Sequence, residues 1–550
     1  MATFADLVRA RADDEHIGLR FEDESYTWAR LVREAELRAA LAIELKEPGR
    51  PFHVGVLLEN VPEYVLWIFA AALSGAALVG INPTRRGEEL ARDIRHTDCR
   101  FIVTDSGRSA LIDGLDLGVA PDRILRVDTP GYQDLVARRT GDEVRAIVGG
   151  QEPPRPEDVL LLLFTSGSTG APKAVICGQG RLAAIAERGT LFGLGRESVA
   201  YLAMPLFHGN AIMANLAMVT HAGGTVAMRR RFSASAFLPD VRRYGATYFN
   251  YVGRALAYIL ATPERDDDAD NPLRAAFGTE ASARDLAEFA RRFDAVPIEG
   301  YGSSEGAIVI SKVPGTPADA LGVAPEGTDV AVHDPLTGHE CLRARFDGSG
   351  RLVNGHEAIG EIVRRDASFE GYYNNPEADA QRLRDGWYWS GDLAYRDLDG
   401  YFYFAGRDAD RLRVDSENFA AGPVERILAR YPGTIMCAVY AVPDPRTGDQ
   451  VMATLELDGD FDPDAFAAFL RAQPDLGTKW APLFVRLTPR MPLTATNKVN
   501  KQGLRRERWE CADPVWWRPA RDLGYVTLTG AARSALRRQF AEFGREHLLS

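Results

Sequence analysis

At 550 residues the chain is too long for one simple hydrophobic core, so two to four domains are expected. Its 65 lysines and arginines stand against 77 aspartates and glutamates, and the net charge of −12 argues against a dedicated nucleic-acid-binding protein, which would carry a basic excess. The first residues lack the apolar segment of a signal peptide. The cysteines have no CxxC spacing, which fits a reducing cytosol and predicts neither a metal site nor a disulfide framework: Cys99, Cys177, Cys341, Cys437 and Cys511.

The first 300 residues alternate between helical and strand-like segments. The Ala- and Arg-rich segments Trp28–Glu44 and Ser282–Phe293 are typical of helices. Apolar runs typical of strands lie between such segments: VGVLL at 54, ALVGI at 77, RFIVT at 100, LLLLF at 160, TVAM at 225 and ATYFNYV at 246. This alternation predicts parallel sheets covered by helices.

One apolar stretch, Tyr64 to Pro83, has about the length of a membrane span. Gly75 and Gly80 interrupt it, and its end at Asn82 and Pro83 is typical of a turn. We therefore predict a buried helix over residues 63–73 followed by a strand over 76–81, and no transmembrane segment. A second unusual run, ERDDDAD at 264–270, is interpreted as a solvated loop rather than a metal site.

Past residue 340 the pattern changes to short strands and tight turns. Strand-like GEIVRR, GYFYFAGR and DRLRV are followed by helix-like VERILARY, strand-like MCAVYAV and helix-like DPDAFAAFLRA. These runs predict a small α+β domain. We interpret the following aromatic residues mainly as core packing: Trp387, Tyr388, Trp389, Tyr401, Phe402, Tyr403 and Phe404.

The run TSGSTGAPK, within residues 159–176, combines glycines, hydroxyls and a lysine directly after an apolar strand. A Walker A motif requires a lysine directly after glycine and a hydroxyl next. Here two residues separate Gly170 from Lys173, the second of them Pro172, and Ala174 follows the lysine. Pro172 also disfavours helical geometry at the residue before it. The P-loop is therefore excluded, and the run predicts a loop that binds phosphates through backbone N–H groups and one lysine.

TSGSTGAPKAV resembles the signature loop of the adenylate-forming enzymes, which are acyl-CoA synthetases, adenylation domains of peptide synthetases, and luciferases. Further motifs follow in order across nearly the whole chain: MPLFHGNA at 204, GYGSSEGA at 300, WYWSGDLAYRDLDGYFYFAGRDADRLR at 387 and PLTATNKVNK at 492. The segments AFGTEASARDLAEFARRF and GRDADRLRVDSENFAAGPVE are similar to fatty-acid transport protein-like, long- or very-long-chain acyl-CoA synthetases.

This resemblance implies an α/β fold in two domains. A large N-terminal AMP-binding domain over residues 1–408 would contain parallel-type sheets covered by helices and a small β-barrel-like part. A small, mobile α+β lid domain would follow over residues 409–550. The implied hinge is Ala409, where many relatives carry Asp or Lys.

The implied reaction is ATP-dependent activation of a fatty acid to an acyl-adenylate with pyrophosphate release, followed by transfer to coenzyme A. An acyl-AMP ligase that delivers the acyl group to a carrier protein remains an alternative, and so does a non-catalytic nucleotide- or acyl-binding protein. Ser416 stands where relatives often carry glycine before Glu-Asn, which places the CoA step in question. The run Phe207–Asn210 lacks the acid of amino-acid-activating relatives, which favours an uncharged acyl group.

Bringing a carboxylate to a polyphosphate requires a metal ion and cationic groups near the reacting atoms. The resemblance implies Glu305 and Thr165 as Mg²⁺ ligands, and Lys498 as the lysine that holds the carboxylate and α-phosphate. Lys501 is the fallback for that role. The implied substrate-pocket residue is His208.

The implied nucleotide site includes Tyr301 stacked on adenine, Ser304 at the α-phosphate, and Asp392 with Arg407 at the ribose. The complete set is Thr165, Ser166, Gly167, Ser168, Thr169, Gly170, Lys173, Gly278, Thr279, Glu280, Gly300, Tyr301, Gly302, Ser303, Ser304, Asp392, Arg407 and Lys498. The expected partners are the small molecules fatty acid, ATP and CoA in the cytoplasm, with no nucleic acid. A homodimer and peripheral membrane association stay open.

Overall fold

A computed structural model describes residues 2–164, 173–252, 255–279, 281, 283–348, 352–407, 411–414, 417–445, 449–473, 476–477, 479–494, 498–519 and 524–549. The chain divides into two compact units. The first unit contains Met1–Gly306 and Ser368–Gln381, and the second contains Ala307–Ala367 and Arg382–Ser550.

Two largely parallel sheets form the centre of the first unit. Its strands are β1 (Ile17–Phe21), β2 (Glu24–Thr27), β3 (His53–Leu57), β4 (Ala77–Gly80), β5 (Phe101–Thr104), β6 (Ile124–Arg126), β7 (Val159–Phe164), β8 (Ala174–Gly178), β9 (Val199–Leu202), β10 (Thr225–Met228), β11 (Tyr248–Val252), β12 (Ala275–Thr279) and β13 (Val296–Gly302). One sheet has the order β13-β12-β11-β9-β10-β1-β2 in this unit and is parallel except for the β1–β2 pair. The other has the order β6-β5-β3-β4-β7-β8 and is parallel except for the β7–β8 pair.

Helices connect these strands, as the predicted alternation requires. They are Phe4–Arg9, Trp28–Leu45, Pro62–Ser74, Gly87–His96, Ser106–Ser109, Pro130–Ala137, Gly141–Gly149, Gln179–Glu187, Gly209–Ala211, Ala217–Ala222, Ala234–Tyr244, Ala255–Leu260, Ala283–Phe293 and Pro376–Arg382. The α/β class is confirmed, and each of the six predicted strands lies within two residues of an observed one.

The apolar stretch after residue 61 forms a buried helix and a strand, as predicted. The helix Pro62–Ser74 begins with a proline at its first turn and ends at Gly75, whose φ of +74° suits glycine. It is buried along almost its whole length, and strand β4 follows it. In the part of the chain that the structure describes, no helix is both long and apolar enough to cross a membrane.

The acidic run at 264–270 is a loop, but the prediction that it is wholly solvated is wrong at Asp268. This side chain is 2% exposed and its Oδ2 accepts a hydrogen bond from Arg292 Nε at 2.6 Å. Burial alone would raise the pKa of the Asp268 carboxyl, but the bonds from Arg292 and from the backbone N–H of Arg265 hold it below the usual value. The charge is tolerated inside because the guanidinium pairs with it. No metal-binding cluster of His, Cys, Asp or Glu occurs among the described residues.

The second unit consists mainly of antiparallel strands. They are β14 (Val309–Ser311), β15 (Val330–His333), β16 (Gly360–Arg365), β17 (Leu383–Arg384), β18 (Trp387–Arg396), β19 (Phe402–Arg407), β20 (Arg411–Val414), β21 (Glu417–Ala420), β22 (Thr434–Pro443), β23 (Asp449–Leu457), β24 (Phe484–Leu487), β25 (Val515–Trp517) and β26 (Val526–Thr527). A five-stranded sheet contains β15-β16-β18-β17 with β19 paired to β18. This half-barrel sheet is the predicted β-barrel-like part.

The predicted small α+β region is a second five-stranded sheet, β22-β23-β24-β25-β26, preceded by the hairpin β20–β21. The helices of the second unit are Gly355–Ala358, Ala421–Leu428, Pro463–Arg471, Lys501–Glu507 and Gly530–Glu542. Side chains from two of these helices pack against β22 and β23 in one core, including Val424, Leu428, Val439, Val451 and Phe466.

The aromatic residues between 387 and 404 serve mainly as core, as predicted. Tyr388, Trp389, Phe402 and Tyr403 are buried. The ring of Tyr403 stacks on Tyr395 with 5.0 Å between ring centroids. The predicted boundary at residues 408 and 409 lies outside the described residues and stays a prediction.

Candidate active site

The predicted phosphate loop connects two strands that pair directly with each other. Strand β7 ends at Phe164 and β8 begins at Ala174, and these two residues are opposite each other in an antiparallel register. A Walker loop is followed by a helix, whereas a strand follows here, so the exclusion of a P-loop is confirmed. Lys173 is described, whereas Thr165, Ser166, Gly167, Ser168, Thr169 and Gly170 lie outside the described residues.

Glu305 lies in a tight turn directly after β13, whose last residues are the predicted Gly300, Tyr301 and Gly302. The turn is closed by the backbone N–H of Gly306, which donates to the carbonyl of Ser303 at 2.9 Å. Gly306 has a φ of +63°, a conformation that glycine adopts without strain. The Glu305 side chain is buried, at 7% exposure, and its Oε1 accepts a hydrogen bond of 2.8 Å from the hydroxyl of Tyr372.

Arg181, on the helix after β8, also contacts this turn. Its guanidinium donates to the carbonyl of Ser304 and to that of Ile176 in β8. A side chain at Gly306 would meet this guanidinium, whose Nε lies 2.9 Å from the position of a Cβ. Arg181 therefore fixes the turn that carries Ser304 and Glu305 relative to the strand after the phosphate loop. Sequence reasoning missed both Arg181 and Tyr372, because neither is near the turn in sequence.

Gly278 and Thr279, predicted to line the adenine pocket, are the last residues of β12. This strand lies between β11 and β13, with Gly278 opposite Tyr251 on one side and Glu299 on the other. A Cβ at Gly278 would lie 2.6 Å from the carbonyl oxygen of Tyr251 and closer still to its ring. Because parallel strands end at one edge of a sheet, residues 278–279 and 300–304 share the edge where ligands bind in such folds. Glu280 lies outside the described residues.

His208 precedes the helix that begins at Gly209, and this helix approaches the Glu305 turn. A Cβ at Gly209 would be 3.3 Å from the hydroxyl oxygen of Ser304. The ring of His208 lies edge-to-face with that of Phe207. Within the first unit, Gly209, the neighbour of the predicted substrate-pocket residue, therefore lies close to the predicted α-phosphate residue.

A chain of three asparagine side chains runs inward from the same helix. Asn215 Nδ2 donates to the backbone carbonyl of Tyr201 at 3.2 Å and to Asn250 Oδ1 at 2.7 Å, and Asn250 Nδ2 donates to Asn210 Oδ1 at 2.7 Å. Since a carbonyl can only accept, the orientation of each amide follows from the first one. The N–H₂ group of Asn210 therefore points away from Asn250.

The asparagine chain was missed in the sequence, although a signal exists. Asn215 and Asn250 are fully buried, and each interrupts an otherwise apolar run, IMANLAM and TYFNYV. A buried amide must find partners, so two such interruptions indicate a polar network. Asn215 also lies in a π-helical turn, Ile212–Leu216, a feature frequent at functional sites.

In the second unit, Asp392 and Arg407 are opposite each other on the paired strands β18 and β19. The backbone N–H of Asp392 donates to the Ser390 hydroxyl at 3.1 Å. The preceding Gly391 has a φ of +75°, and a Cβ there would contact the guanidinium of Arg382. The predicted ribose pair is thus brought together in register, and the side chain of Arg407 lies outside the described residues.

Lys498 closes a small loop near the end of the second unit. The N–H of Thr494 donates to the Lys498 carbonyl at 2.7 Å, and the N–H of Lys498 donates to the Thr494 hydroxyl at 3.2 Å. Lys501, the fallback, has its Nζ 3.0 Å from Glu425 Oε1. This ion pair gives Lys501 a structural partner, and the predicted role of Lys498 stays a prediction. The predicted hinge Ala409 and Ser416 lie outside the described residues.

A cavity of about 370 Å³ opens in the first unit at the carboxyl end of β10. Arginines and acids line it together, among them Arg229, Arg230 and Arg231 with Glu59 and Asp240. They form ion pairs with one another, such as Arg229 with Asp240 at 2.5 Å. Of the predicted site residues that the structure describes, none lines this cavity.

Comparison with known proteins gives consistent matches over the whole chain. The family described as AMP-binding enzyme matches residues 6–373, and the AMP-binding enzyme C-terminal domain matches residues 423–498. A steroid-22-oyl-CoA synthetase of Rhodococcus jostii (strain RHA1) is 51% identical over 555 residues, covering 100% of this chain and 99% of that protein. The medium/long-chain-fatty-acid–CoA ligase FadD17 of Mycobacterium tuberculosis is 45% identical, covering 94% of this chain and 98% of that protein.

Among solved structures, ATP-bound MatB from Rhodopseudomonas palustris superposes with a TM-score of 0.78 at 22% identity. The match covers 91% of this chain and 97% of that one, and it shows a shared fold.

Proposed function

The chain belongs to the AMP-binding enzyme family and is an AMP-forming acid–thiol ligase, and we propose that the acid it activates is a steroid bearing a side-chain carboxylate. The observation that carries this proposal is the 51% identity with a steroid-22-oyl-CoA synthetase over the full length of both chains. A medium- or long-chain fatty acid is the second candidate, because FadD17 is 45% identical over nearly the same length.

The ligase reaction has two steps. In the first, a carboxylate oxygen attacks the α-phosphorus of ATP, an acyl–oxygen–phosphorus bond forms, and the bond to the β-phosphate breaks to release pyrophosphate. In the second, the thiol sulfur of CoA attacks the acyl carbon and loses its proton, and AMP leaves. Both steps develop negative charge on oxygen, which pre-placed cationic groups and N–H donors stabilise.

For the first step we assign the phosphates to residues 165–173 and the α-phosphate also to Ser304. The position of Gly209 against the Ser304 hydroxyl supports placing the acid near His208 and Asn210. The N–H₂ of Asn210 then offers a donor to a substrate oxygen.

Glu305 and Thr165 are proposed to hold Mg²⁺. A single buried carboxylate fits this ion, which is usually bound through one or two carboxylates together with substrate phosphates. Bound Mg²⁺ neutralises charge on the phosphates and aligns them.

The ribose is assigned to Asp392 and Arg407, which the register of β18 and β19 places opposite each other. Lys498 is assigned to the reacting carboxylate and α-phosphate. We further propose domains 1–408 and 409–550 with the hinge at Ala409, CoA as the acceptor despite Ser416, and a cytoplasmic location, where ATP and CoA are available.

A panel assay of pyrophosphate release and CoA-dependent AMP release tests the proposal. A steroid-22-oic acid is compared with medium- and long-chain fatty acids at equal concentrations. We expect kcat/KM for the steroid acid to exceed that for any fatty acid by at least about tenfold, a difference of about 1.4 kcal/mol. The reverse ranking would establish the second candidate. Pyrophosphate release without CoA-dependent AMP release would instead indicate an acyl-AMP ligase.

A further inference from the structure

Tyr372 connects the carboxylate of Glu305 to the base of the phosphate loop. Its hydroxyl donates to Glu305 Oε1 at 2.8 Å, and the exposure of the two residues is 3% and 7%. On the other side, the Nζ of Lys173 lies 5.8 Å from the centroid of the Tyr372 ring. That distance is within the reach of a cation–π interaction. One side chain therefore contacts both a predicted metal ligand and the lysine that ends the phosphate loop.

The backbone around Tyr372 is hydrogen-bonded to β8, the strand that follows the phosphate loop. Tyr372 pairs with Val175 of β8, and the N–H of Tyr373 donates to the carbonyl of Ala174 at 2.9 Å. The N–H of Tyr372 itself donates to Asp379 Oδ1 at 2.8 Å. These bonds fix the backbone from which the Tyr372 ring extends, and they therefore help to fix the position of its hydroxyl.

From this geometry we propose that Tyr372 is a positioning residue for adenylation. It fixes the orientation of the Glu305 carboxylate for the metal–ATP complex, and its ring face holds Lys173 toward the phosphates. A carboxylate without such a donor rotates between several orientations, and partners that fix a metal ligand in this way usually contribute to metal affinity. The inference rests on the proposed function, through the metal-binding role assigned to Glu305.

The test is the Tyr372→Phe substitution in the full-length protein, because it removes only the hydroxyl. The ring stays, with its packing against Phe369 at 5.3 Å between centroids, so the variant is expected to fold. Tyr373→Phe is the matched control. It removes a neighbouring hydroxyl whose hydrogen bond to Asp98 Oδ2 is 2.9 Å long and does not involve Glu305.

The main measurement is Mn²⁺ binding by electron paramagnetic resonance in the presence of a non-hydrolysable ATP analogue. We expect Tyr372→Phe to weaken Mn²⁺ binding by about tenfold, the lower end of the range for lost partners of metal ligands. Tyr373→Phe should bind as the unaltered protein does. The Mg²⁺ concentration for half-maximal pyrophosphate release should rise in parallel in Tyr372→Phe alone. A thermal unfolding scan of each variant separates these effects from loss of folded protein.

The Glu305→Ala substitution distinguishes the positioning role of Tyr372 from the metal-binding role of Glu305. If Glu305→Ala weakens Mn²⁺ binding and Tyr372→Phe does not, the role of Tyr372 is refuted and the metal assignment stands. If neither substitution changes Mn²⁺ binding, the assignment of Glu305 is refuted as well. A purely structural role for Tyr372 would lower the unfolding temperature and leave Mn²⁺ affinity unchanged.

Discussion

Replacing Gly278 by alanine is expected to damage the predicted adenine pocket directly. The new Cβ would lie 2.6 Å from the carbonyl oxygen of Tyr251 and closer to its ring. Tyr251 has no exposed surface, and its hydroxyl donates to Glu299 Oε1 at 2.9 Å, so the ring has no free space to move into. Either β12 moves away from β11 or the Tyr251 hydrogen bond breaks.

The size of the effect follows from these two routes. Overpacking a filled core costs about 1–3 kcal/mol. Breaking a hydrogen bond to a charged group costs about 1.5–3 kcal/mol. We therefore expect Gly278→Ala to lower the free energy of unfolding by about 1–3 kcal/mol. Because Thr279 moves with the strand, we also expect the KM for ATP to rise by about tenfold, equivalent to about 1.4 kcal/mol.

Urea denaturation and ATP-dependent pyrophosphate release measure these two quantities. Gly131→Ala is a suitable control, since nothing lies within 4 Å of a Cβ at that position in the helix Pro130–Ala137. Alanine is favoured over glycine in a helix, so this control should be neutral or more stable by up to about 1 kcal/mol. If Gly278→Ala had the stability and the KM for ATP of the unaltered protein, the close packing of β11 on β12 would not shape the nucleotide site.

Three further substitutions have defined expectations. Lys498→Ala should lower adenylation by about 10²–10³-fold while thioester formation from supplied acyl-adenylate is retained, and equal loss of both steps would contradict its assigned role. Asn250→Leu removes the donor to Asn210 Oδ1 and one of the two acceptors of Asn215, so it should lower the free energy of unfolding by about 1–3 kcal/mol in urea and raise the KM for the acid. Burial raises the pKa of Asp93 to about 6, only partly offset by the nearby Arg85, so the folded state binds the proton more tightly. Stability should therefore fall as pH rises from about 4 to 6, and urea titrations of Asp93→Asn should lack this fall.

The order of the elements could be predicted from the sequence because it depends on local patterns. Apolar runs of four to six residues formed buried strands. Glycine and proline marked the ends of elements, as at Gly75 after the helix Pro62–Ser74. The chemistry of residues 165–174 was equally readable, since Pro172 and Ala174 exclude a Walker motif wherever the chain folds. The likeness of several motifs in order was sufficient to identify the family.

Contacts between distant segments could not be predicted in this way. Asp268 belongs to an acidic run that reads as solvated, and only the approach of Arg292 from the following helix makes its burial tolerable. The partners of the turn that carries Ser304 and Glu305 were also missed, because Arg181 and Tyr372 lie more than sixty residues away on either side.

The sequence by itself determined the fold class, the succession of strands and helices, and the residue types of the predicted phosphate loop. These properties follow from the periodicity of apolar residues and from backbone restrictions at glycine and proline, which act over a few residues. The tertiary structure alone decided that the Tyr372 hydroxyl meets Glu305, that three asparagines join in one chain, and that Asp392 lies opposite Arg407. Such pairings depend on strand register and side-chain direction, which are set when separate segments of the chain pack together.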